Sequence, residues 1–289
     1  MATQFRFLCP AKINLILNVV GHSKNHYHEL QSLFVPINIY DELYIKKTSR
    51  SLRWLTIRGK FSAQIPHNEN NLICRAVRLV QGDFHQGCHI TLVKNIPTGA
   101  GLGGGSSNVA TVLNFFVQKN AKEKQTQALQ LGADVPFFLQ KKPRWVMGVG
   151  DVMGPTVSLP QTYLLLLWPN ISLPTKEVFD FFKNSHDPLT PKVPLVKLRR
   201  GFKSVQVLAE VLHNDLEKHA IKLAPQIAEA KSDLLKSGAL AAVMSGSGST
   251  VVGIYASLET RLIAWKQVCA RWPSSWVQMA EPIGASPSW

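Results

Sequence analysis

The run Pro97-Thr98-Gly99-Ala100-Gly101-Leu102-Gly103-Gly104-Gly105-Ser106-Ser107-Asn108 constrains this chain more than any other stretch, because five of the seven residues from 99 to 105 are glycine. Glycine loses more backbone freedom on ordering than any other residue. A run this dense is tolerated chiefly where backbone must approach a partner closely or take positive φ. It follows His89 to Lys94, which reads as a strand. It precedes Val109, Val112, Leu113, Phe116 and Val117, whose spacing reads as a helix starting at Ser106 or Ser107. Strand, glycine loop and helix N-terminus together aim backbone N–H groups and the positive end of a helix dipole at an anion, and phosphate is the obvious guest. The plainer alternative is a flexible surface loop, against which the two flanking elements argue.

The loop is not of the GxxxxGK[ST] type. Gly101 to Ser106 reads GxGxxS, and Glu123 stands near the spacing of a dinucleotide-binding acid. The following sequence opposes that reading, since Lys122-Glu123-Lys124-Gln125 leads into another helical pattern rather than a strand ending in an acid.

Upstream, Ile13 to Val20, Leu33 to Tyr40, Leu43 to Lys47 and Arg53 to Arg58 read as strands. Asn70 or Asn71 caps a helix with Leu72, Ile73, Ala76, Val77, Leu79 and Val80 on one face. A short strand is expected at Arg144 to Met147. The composition shifts to Pro, Thr and Ser near 155 to 160, and an apolar strand, Tyr163 to Trp168, opens a second unit. There the expectation is a helix after Pro174, long helical patterns from Val205 to Lys236, and two strands with a loop through Ala239 to Tyr255. A helix from Leu258 to Trp272 and a strand near Trp276 to Met279 complete it. Clustered strands without strict alternation give an α+β fold, with domains at 1–157 and 158–289.

Three further stretches carry chemistry-bearing residues in unusual settings. Asp134 is a charge among apolar residues in Leu131-Gly132-Ala133-Asp134-Val135-Pro136, where a helix or turn cap is the bland reading. Lys12 interrupts the apolar Pro10-Ala11-Lys12-Ile13-Asn14-Leu15 and would ordinarily be a surface residue at a strand end. Met244-Ser245-Gly246-Ser247-Gly248-Ser249-Thr250 is a second tight turn rich in small donors, suited to closing over a ligand.

The chain has a formal net charge of +14 and a mean hydropathy of +0.01. Residues 1–155 hold 18 Lys and Arg against 8 Asp and Glu, so the excess sits mainly in the first half. Polyanions are plausible partners. Lys46, Lys47, Arg50, Arg53, Arg58 and Lys60 are the best support for nucleic acid, and a solvated basic face explains them more simply. Cys9, Cys74, Cys88 and Cys269 form no CxxC pair, which leaves reduced thiols as the expectation. The longest apolar stretch, Tyr163 to Trp168, is far short of a membrane span, and Lys12 spoils the opening as a secretory leader. No membrane association and a cytoplasmic location are expected.

In this order, Pro10 to Leu15, Pro97 to Asn108 and Met244 to Thr250 resemble the three motifs of the GHMP small-molecule kinases. Asn25-His26-Tyr27-His28-Glu29-Leu30, Glu69-Asn70-Asn71-Leu72-Ile73 and Leu131 to Pro136 are similar, more narrowly, to one branch of that family. That branch phosphorylates a hydroxyl on the methylerythritol moiety of a cytidine diphosphate derivative, in non-mevalonate isoprenoid synthesis. The resemblance implies a sheet-rich N-terminal ATP-binding domain and an α/β-sandwich C-terminal domain.

It also implies ATP and Mg²⁺, a small-molecule acceptor and no nucleic acid. By the same resemblance Lys12 and Asp134 form the catalytic pair. Pro97, Thr98, Gly99, Ala100, Gly101, Leu102, Gly103, Gly104, Gly105, Ser106 and Ser107 form the ATP-phosphate loop, with Ser106 or Ser107 toward Mg²⁺. Asn71 and Leu72 lie at the adenosine, and Asn14 lies near the catalytic pair. Tyr27, His28 and Phe179 form the cytidine pocket. Ser249 departs from the family's usual proline in this turn. A mevalonate-type or homoserine-type GHMP kinase is the alternative within the fold, and a nucleic-acid-binding protein the alternative outside it.

Overall fold

The computed structural model describes residues 3–23, 28–48, 54–81, 88–117, 120–185 and 187–284. Two compact units divide the chain, unit 1 comprising 1–11, 39–98 and 103–141, and unit 2 comprising 12–38, 99–102 and 142–289. Two long strands, β1 (Gln4–His22) and β2 (His28–Lys47), contribute residues to both.

In unit 1, β3 (Leu55–Arg58), β4 (Cys88–Val93), β2 and β1 lie side by side in that order. β4 pairs antiparallel with β2, Leu43 opposite Leu92, and parallel with β3. Alternation explains β4, whose Cys88, Ile90 and Leu92 are buried while His89 and Thr91 face outward more. Helix α1 (Leu72–Gln81) packs against α2 (Gly104–Phe116) through Ile73, Ala76 and Val77, one stripe at helical spacing. Helices α3 (Ala121–Leu131) and α4 (Val135–Gln140) complete the layer. Asn120 caps α3 by accepting the Glu123 N–H at 3.0 Å. Because α2 is followed by α3 rather than by a strand, Glu123 lies in a helical first turn and not at the strand end that the dinucleotide reading requires.

Two expectations in this unit change. Leu33 to Tyr40 and Leu43 to Lys47 are one strand, which runs through a fully buried Asp41 whose carboxylate is hydrogen bonded by Lys94, Asn95, Ile96 and Asn108. Helix α2 begins at Gly104 rather than at Ser106 or Ser107. Its N-cap is Gly103, in a left-handed conformation with no side chain to cap. Of the basic residues weighed for nucleic acid, Lys46, Lys47, Arg58 and Lys60 are exposed, while Arg50 and Arg53 lie outside the described residues.

In unit 2, β1 pairs parallel with the short β8 (His213–Asn214), Leu17 opposite Asn214. β2 pairs antiparallel with β5 (Arg144–Gly148), which is followed by β6 (Val152–Thr156), a strand with no clear alternation in the sequence. A separate antiparallel sheet runs β11 (Trp276–Ala280), β7 (Tyr163–Trp168), β10 (Val251–Tyr255), β9 (Ala241–Met244). Its strand β7, paired on both sides, is apolar along its whole length because Leu164 to Trp168 are buried on both faces. Leu165, Leu167, Val251 and Met244 share a core with Val178 and Phe182 of α5 (Thr175–Asn184) and with Ile227 and Leu234 of α8 (Gln226–Lys236). The helical pattern from Val205 to Lys236 resolves into α6 (Val205–Ala209), α7 (Glu217–Leu223) and α8, separated by β8 and by Pro225. Helix α9 (Leu258–Arg271) opens with a Ser257–Thr260 capping box. Among the described residues, no helix is long and apolar enough to cross a membrane.

The interior of unit 1 carries a charge pair. Lys94 Nζ donates to Asp41 Oδ2 at 2.6 Å, and the two side chains are 2% and 0% exposed. Burial pulls the Lys94 ammonium below the ordinary lysine range, against the opposing pull of Asp41. Lys94→Met would leave the Asp41 carboxylate buried without its counter-charge. The expected loss of stability is about 3 to 5 kcal/mol, read from urea unfolding. A loss under about 1 kcal/mol, the size of an exposed pair, would contradict this account.

Candidate active site

In unit 2, Lys12 and Asn14 alternate onto one face of β1 and are 4% and 1% exposed. Lys12 is therefore not a surface residue. Its Nζ donates to Asn14 Oδ1 at 2.6 Å and lies 4.7 Å from the Phe34 ring centroid. Asn14 Nδ2 donates to Ser32 Oγ at 2.8 Å, and Ser32 donates on to the Ile16 carbonyl at 2.6 Å. The amide is thus fully oriented, with its oxygen toward the ammonium.

The middle of the glycine loop joins this group. The Lys12 N–H donates to the Leu102 carbonyl at 2.9 Å. Ser245 Oγ, fully buried, accepts the Asn14 N–H at 3.2 Å and donates to the Gly101 carbonyl at 3.1 Å. Gly101 has φ +77°, and a Cβ there would run into the Ser245 carbonyl. Both reasons expected for glycine, positive φ and close approach, apply at this residue. On the other loop, a Cβ at Gly246 would stand 3.2 Å from Asn14 Oδ1 and 3.4 Å from Lys12 Nζ. Ser249 is fully buried, and its hydroxyl donates to the Ile171 carbonyl, a tether that the family's proline lacks. Gly99, by contrast, is exposed, beside Ser172.

His28 and Phe179 also come together in unit 2. Their rings stack with centroids 5.2 Å apart and 22° between planes, and Phe182 meets His28 edge-on at 5.6 Å. Burial first, then the neighbouring His22, pushes the His28 imidazole below its ordinary pKa. Its Nδ1 is buried without a hydrogen-bond partner among the described residues. Tyr27, with Asn25 and His26, lies outside the described residues.

In unit 1, Pro97 is buried and Thr98 half-buried at the start of the loop. Gly103, Gly104, Gly105, Ser106 and Ser107 form the cap and first turn of α2, whose leading N–H groups have no intrahelical acceptor. Ser107 Oγ is buried without a hydrogen-bond partner among the described residues. Asn71 Oδ1 accepts the Ile73 N–H at 2.8 Å, which makes it the cap of α1, and its Nδ2 holds the Pro66 carbonyl at 2.8 Å. Leu72 lies against the same turn of α2, since a Cβ at Gly105 would stand 3.3 Å from its Cδ1. Asp134 occupies the N-cap position of α4, yet its side chain makes no capping hydrogen bond. The helix-cap reading of Asp134 therefore lacks its hydrogen bond in α4.

Two supporting residues, Asp41 and Lys94, were not singled out as site residues from the sequence. Asp41 accepts from Lys94, from the backbone N–H of Asn95 at 2.7 Å and of Ile96 at 2.8 Å, and from Asn108 Nδ2 at 3.1 Å. One carboxylate thus pins the strand end before the loop and the helix after it. The signal available was Asp41 itself, a charge inside an apolar stretch. Nothing local pairs it with Lys94, 53 residues away.

The description "GHMP kinases N terminal domain" matches residues 71–142, and "GHMP kinases C terminal" matches 195–274. A 4-diphosphocytidyl-2-C-methyl-D-erythritol kinase of Syntrophotalea carbinolica is 34% identical over 285 residues, covering 96% of this chain and 98% of that protein. A kinase of the same name from Syntrophus aciditrophicus is 37% identical over 257 residues, covering 86% and 89%. A crystal structure of 4-(cytidine 5'-diphospho)-2C-methyl-D-erythritol kinase matches the fold with TM-score 0.76 and 29% identity over 96% of this chain and 99% of that one. The α+β fold and its loops are those of a GHMP kinase, and the chain belongs, within that class, to the 4-diphosphocytidyl-2-C-methyl-D-erythritol kinase family.

Proposed function

We infer that this chain is an ATP-dependent kinase that phosphorylates a hydroxyl of the methylerythritol moiety of 4-diphosphocytidyl-2-C-methyl-D-erythritol, in isoprenoid precursor synthesis. The end-to-end match to kinases of that name carries the inference, at 34% identity over 98% of the relative's length. The mevalonate, homoserine and nucleic-acid readings are not favoured by it. Division of the chain at 157/158 is kept as a proposal, with the two family matches falling on either side. A location in the cytoplasm is proposed likewise.

The residue roles are proposals that the local geometry supports. The first turn of α2 offers unbonded N–H groups and a positive dipole end, which suits the phosphates of ATP. The orphaned Ser107 hydroxyl fits Mg²⁺ that is held chiefly by phosphate oxygens, with Ser106 beside it. When bound, that ion neutralises charge on the β and γ oxygens. Asn71 and Leu72, at the start of α1 and against the α2 turn, are assigned to adenosine.

Asp134 accepts the proton of the acceptor hydroxyl as the bond to phosphorus forms, a contribution of about 10² to 10⁴-fold. Lys12, oriented by Asn14, places a positive charge at the transferring group. Phe179 offers its ring to cytosine, together with Tyr27 and the His28 backbone. Stacking of this kind is worth on the order of 1 to 3 kcal/mol. The His28 ring rests on Phe179 in the structure, and its buried Nδ1, without a hydrogen-bond partner among the described residues, is a further polar group for a base edge.

The test is ADP release with the cytidyl-methylerythritol, mevalonate, homoserine or no acceptor. Turnover with the first alone is expected, and turnover confined to another acceptor would overturn the assignment. Asp134→Asn should lower kcat by about 10²-fold or more with the KM for ATP little changed. Near-normal turnover would remove Asp134 from its role. In Phe179→Ala the loss should appear mainly in KM for the cytidyl acceptor, by about 5-fold or more. An unchanged KM would rule out the stacking.

A further inference from the structure

Behind the Met244–Thr250 turn lies the short segment His213-Asn214-Asp215-Leu216-Glu217, whose side chains face two elements of unit 2 at once. Asn214 is 6% exposed, and its Nδ2 donates to the Met244 carbonyl at 2.7 Å and the Gly246 carbonyl at 2.8 Å. Those two carbonyls flank Ser245, the residue bonded to Asn14 and to Gly101. Glu217 Oε2 accepts the Met244 N–H at 2.8 Å. On the β1 side, the Asp215 N–H donates to the Leu17 carbonyl at 2.9 Å, and Asp215 Oδ2 accepts the Val19 N–H at 2.7 Å. The segment therefore braces the turn and the strand that carries Lys12 against each other.

We propose that Asn214 is a positioning residue for phosphoryl transfer, whose two donor bonds set the backbone of Met244 to Gly246 and through Ser245 fix Lys12 and Asn14 relative to the glycine loop. A turn without the family's proline has more backbone freedom to lose, and a side-chain amide gripping the carbonyls on either side of Ser245 supplies the missing restraint. The amide has a third bond that separates this role from a purely structural one. Its Oδ1 accepts the Leu216 N–H at 2.9 Å, just before α7. An aspartate at this site keeps that acceptor and the shape of the side chain, yet turns a donor of two bonds into an oxygen facing two carbonyl oxygens.

The catalytic consequence rests on the kinase reading, so the test has one arm that depends on it and one that does not. In steady-state kinetics, Asn214→Asp and Asn214→Ala should both lower kcat by about 10²-fold, the effect of a misplacement near 1 Å. KM for the acceptor should stay within about threefold of the parent. If Asn214 serves only to hold the Leu216 N–H in the turn before α7, Asn214→Asp keeps parental kcat while Asn214→Ala does not, and the proposal fails. In the second arm, native-state hydrogen exchange of amides 244–250 should accelerate at least about tenfold in Asn214→Asp, with β7 and β10 unchanged. Equal protection in parent and variant overturns the proposal even if the parent turns over none of the acceptors. Faster exchange confined to 244–250 supports it in that same case.

Discussion

One hydroxyl joins the three motifs that identify this chain. Ser245 Oγ accepts from the backbone of Asn14, 231 residues away, and donates to the backbone of Gly101, 144 residues away. Both partners are main-chain groups, so the contact fixes the path of two loops and a strand rather than the position of two side chains. Such a contact needs the backbones to come close, which is why glycine stands at 101 and 246 and why Lys12 and Asn14 are buried beside them. A buried ammonium must be paired or hydrogen bonded. Asn14, itself held by Ser32, gives Lys12 one such acceptor, a neutral amide oxygen.

Unit 1 holds a buried charge of its own. Lys94 meets Asp41 directly, and the carboxylate is surrounded by four donors: the ammonium, two backbone N–H groups and the Asn108 amide. Hydrogen bonds to a charged acceptor are stronger than neutral ones, roughly 1.5 to 3 kcal/mol each, and together they offset the desolvation of the pair. The arrangement holds Asn95 and Ile96, which lead into the glycine loop, at a fixed place relative to Asn108 in α2. The entropy that so many glycines would otherwise retain is removed at the loop's ends by Asp41 and in its middle by Ser245. A loop with this composition is thereby ordered without giving up the backbone exposure that anion binding needs.

Sequence reasoning reached the elements whose causes are local. The α1 cap at Asn71, the apolar β7 and the amphipathic stripes of α1 and α2 follow from periodicity and turn chemistry, and the resemblance of the three ordered motifs gave the family. It misplaced the start of α2 because a glycine N-cap has no side-chain signature. It split β2 because a buried aspartate and a turn aspartate look alike in one dimension. It passed over β8 because two residues carry no period, although Asn214 there supports the Met244–Thr250 turn. Charge in an apolar setting flagged Lys12 and Asp134, and the same rule extended to Asp41 would have found the carboxylate beneath the loop. What no local rule supplies is the partner, since Ser245, Asn14 and Gly101 meet only through tertiary structure.

The central claim is that this hydroxyl bridge aligns the glycine loop with the strand bearing Lys12, and it is tested most directly by rapid-quench single turnover in Ser245→Ala. With γ-labelled ATP and the cytidyl acceptor at saturation, the account predicts phosphoryl transfer slowed by about 10-fold or more. The accompanying loss of stability is about 1 to 3 kcal/mol, from a buried N–H left without an acceptor. Transfer at the parental rate in a variant that is folded and saturated with both substrates would contradict it.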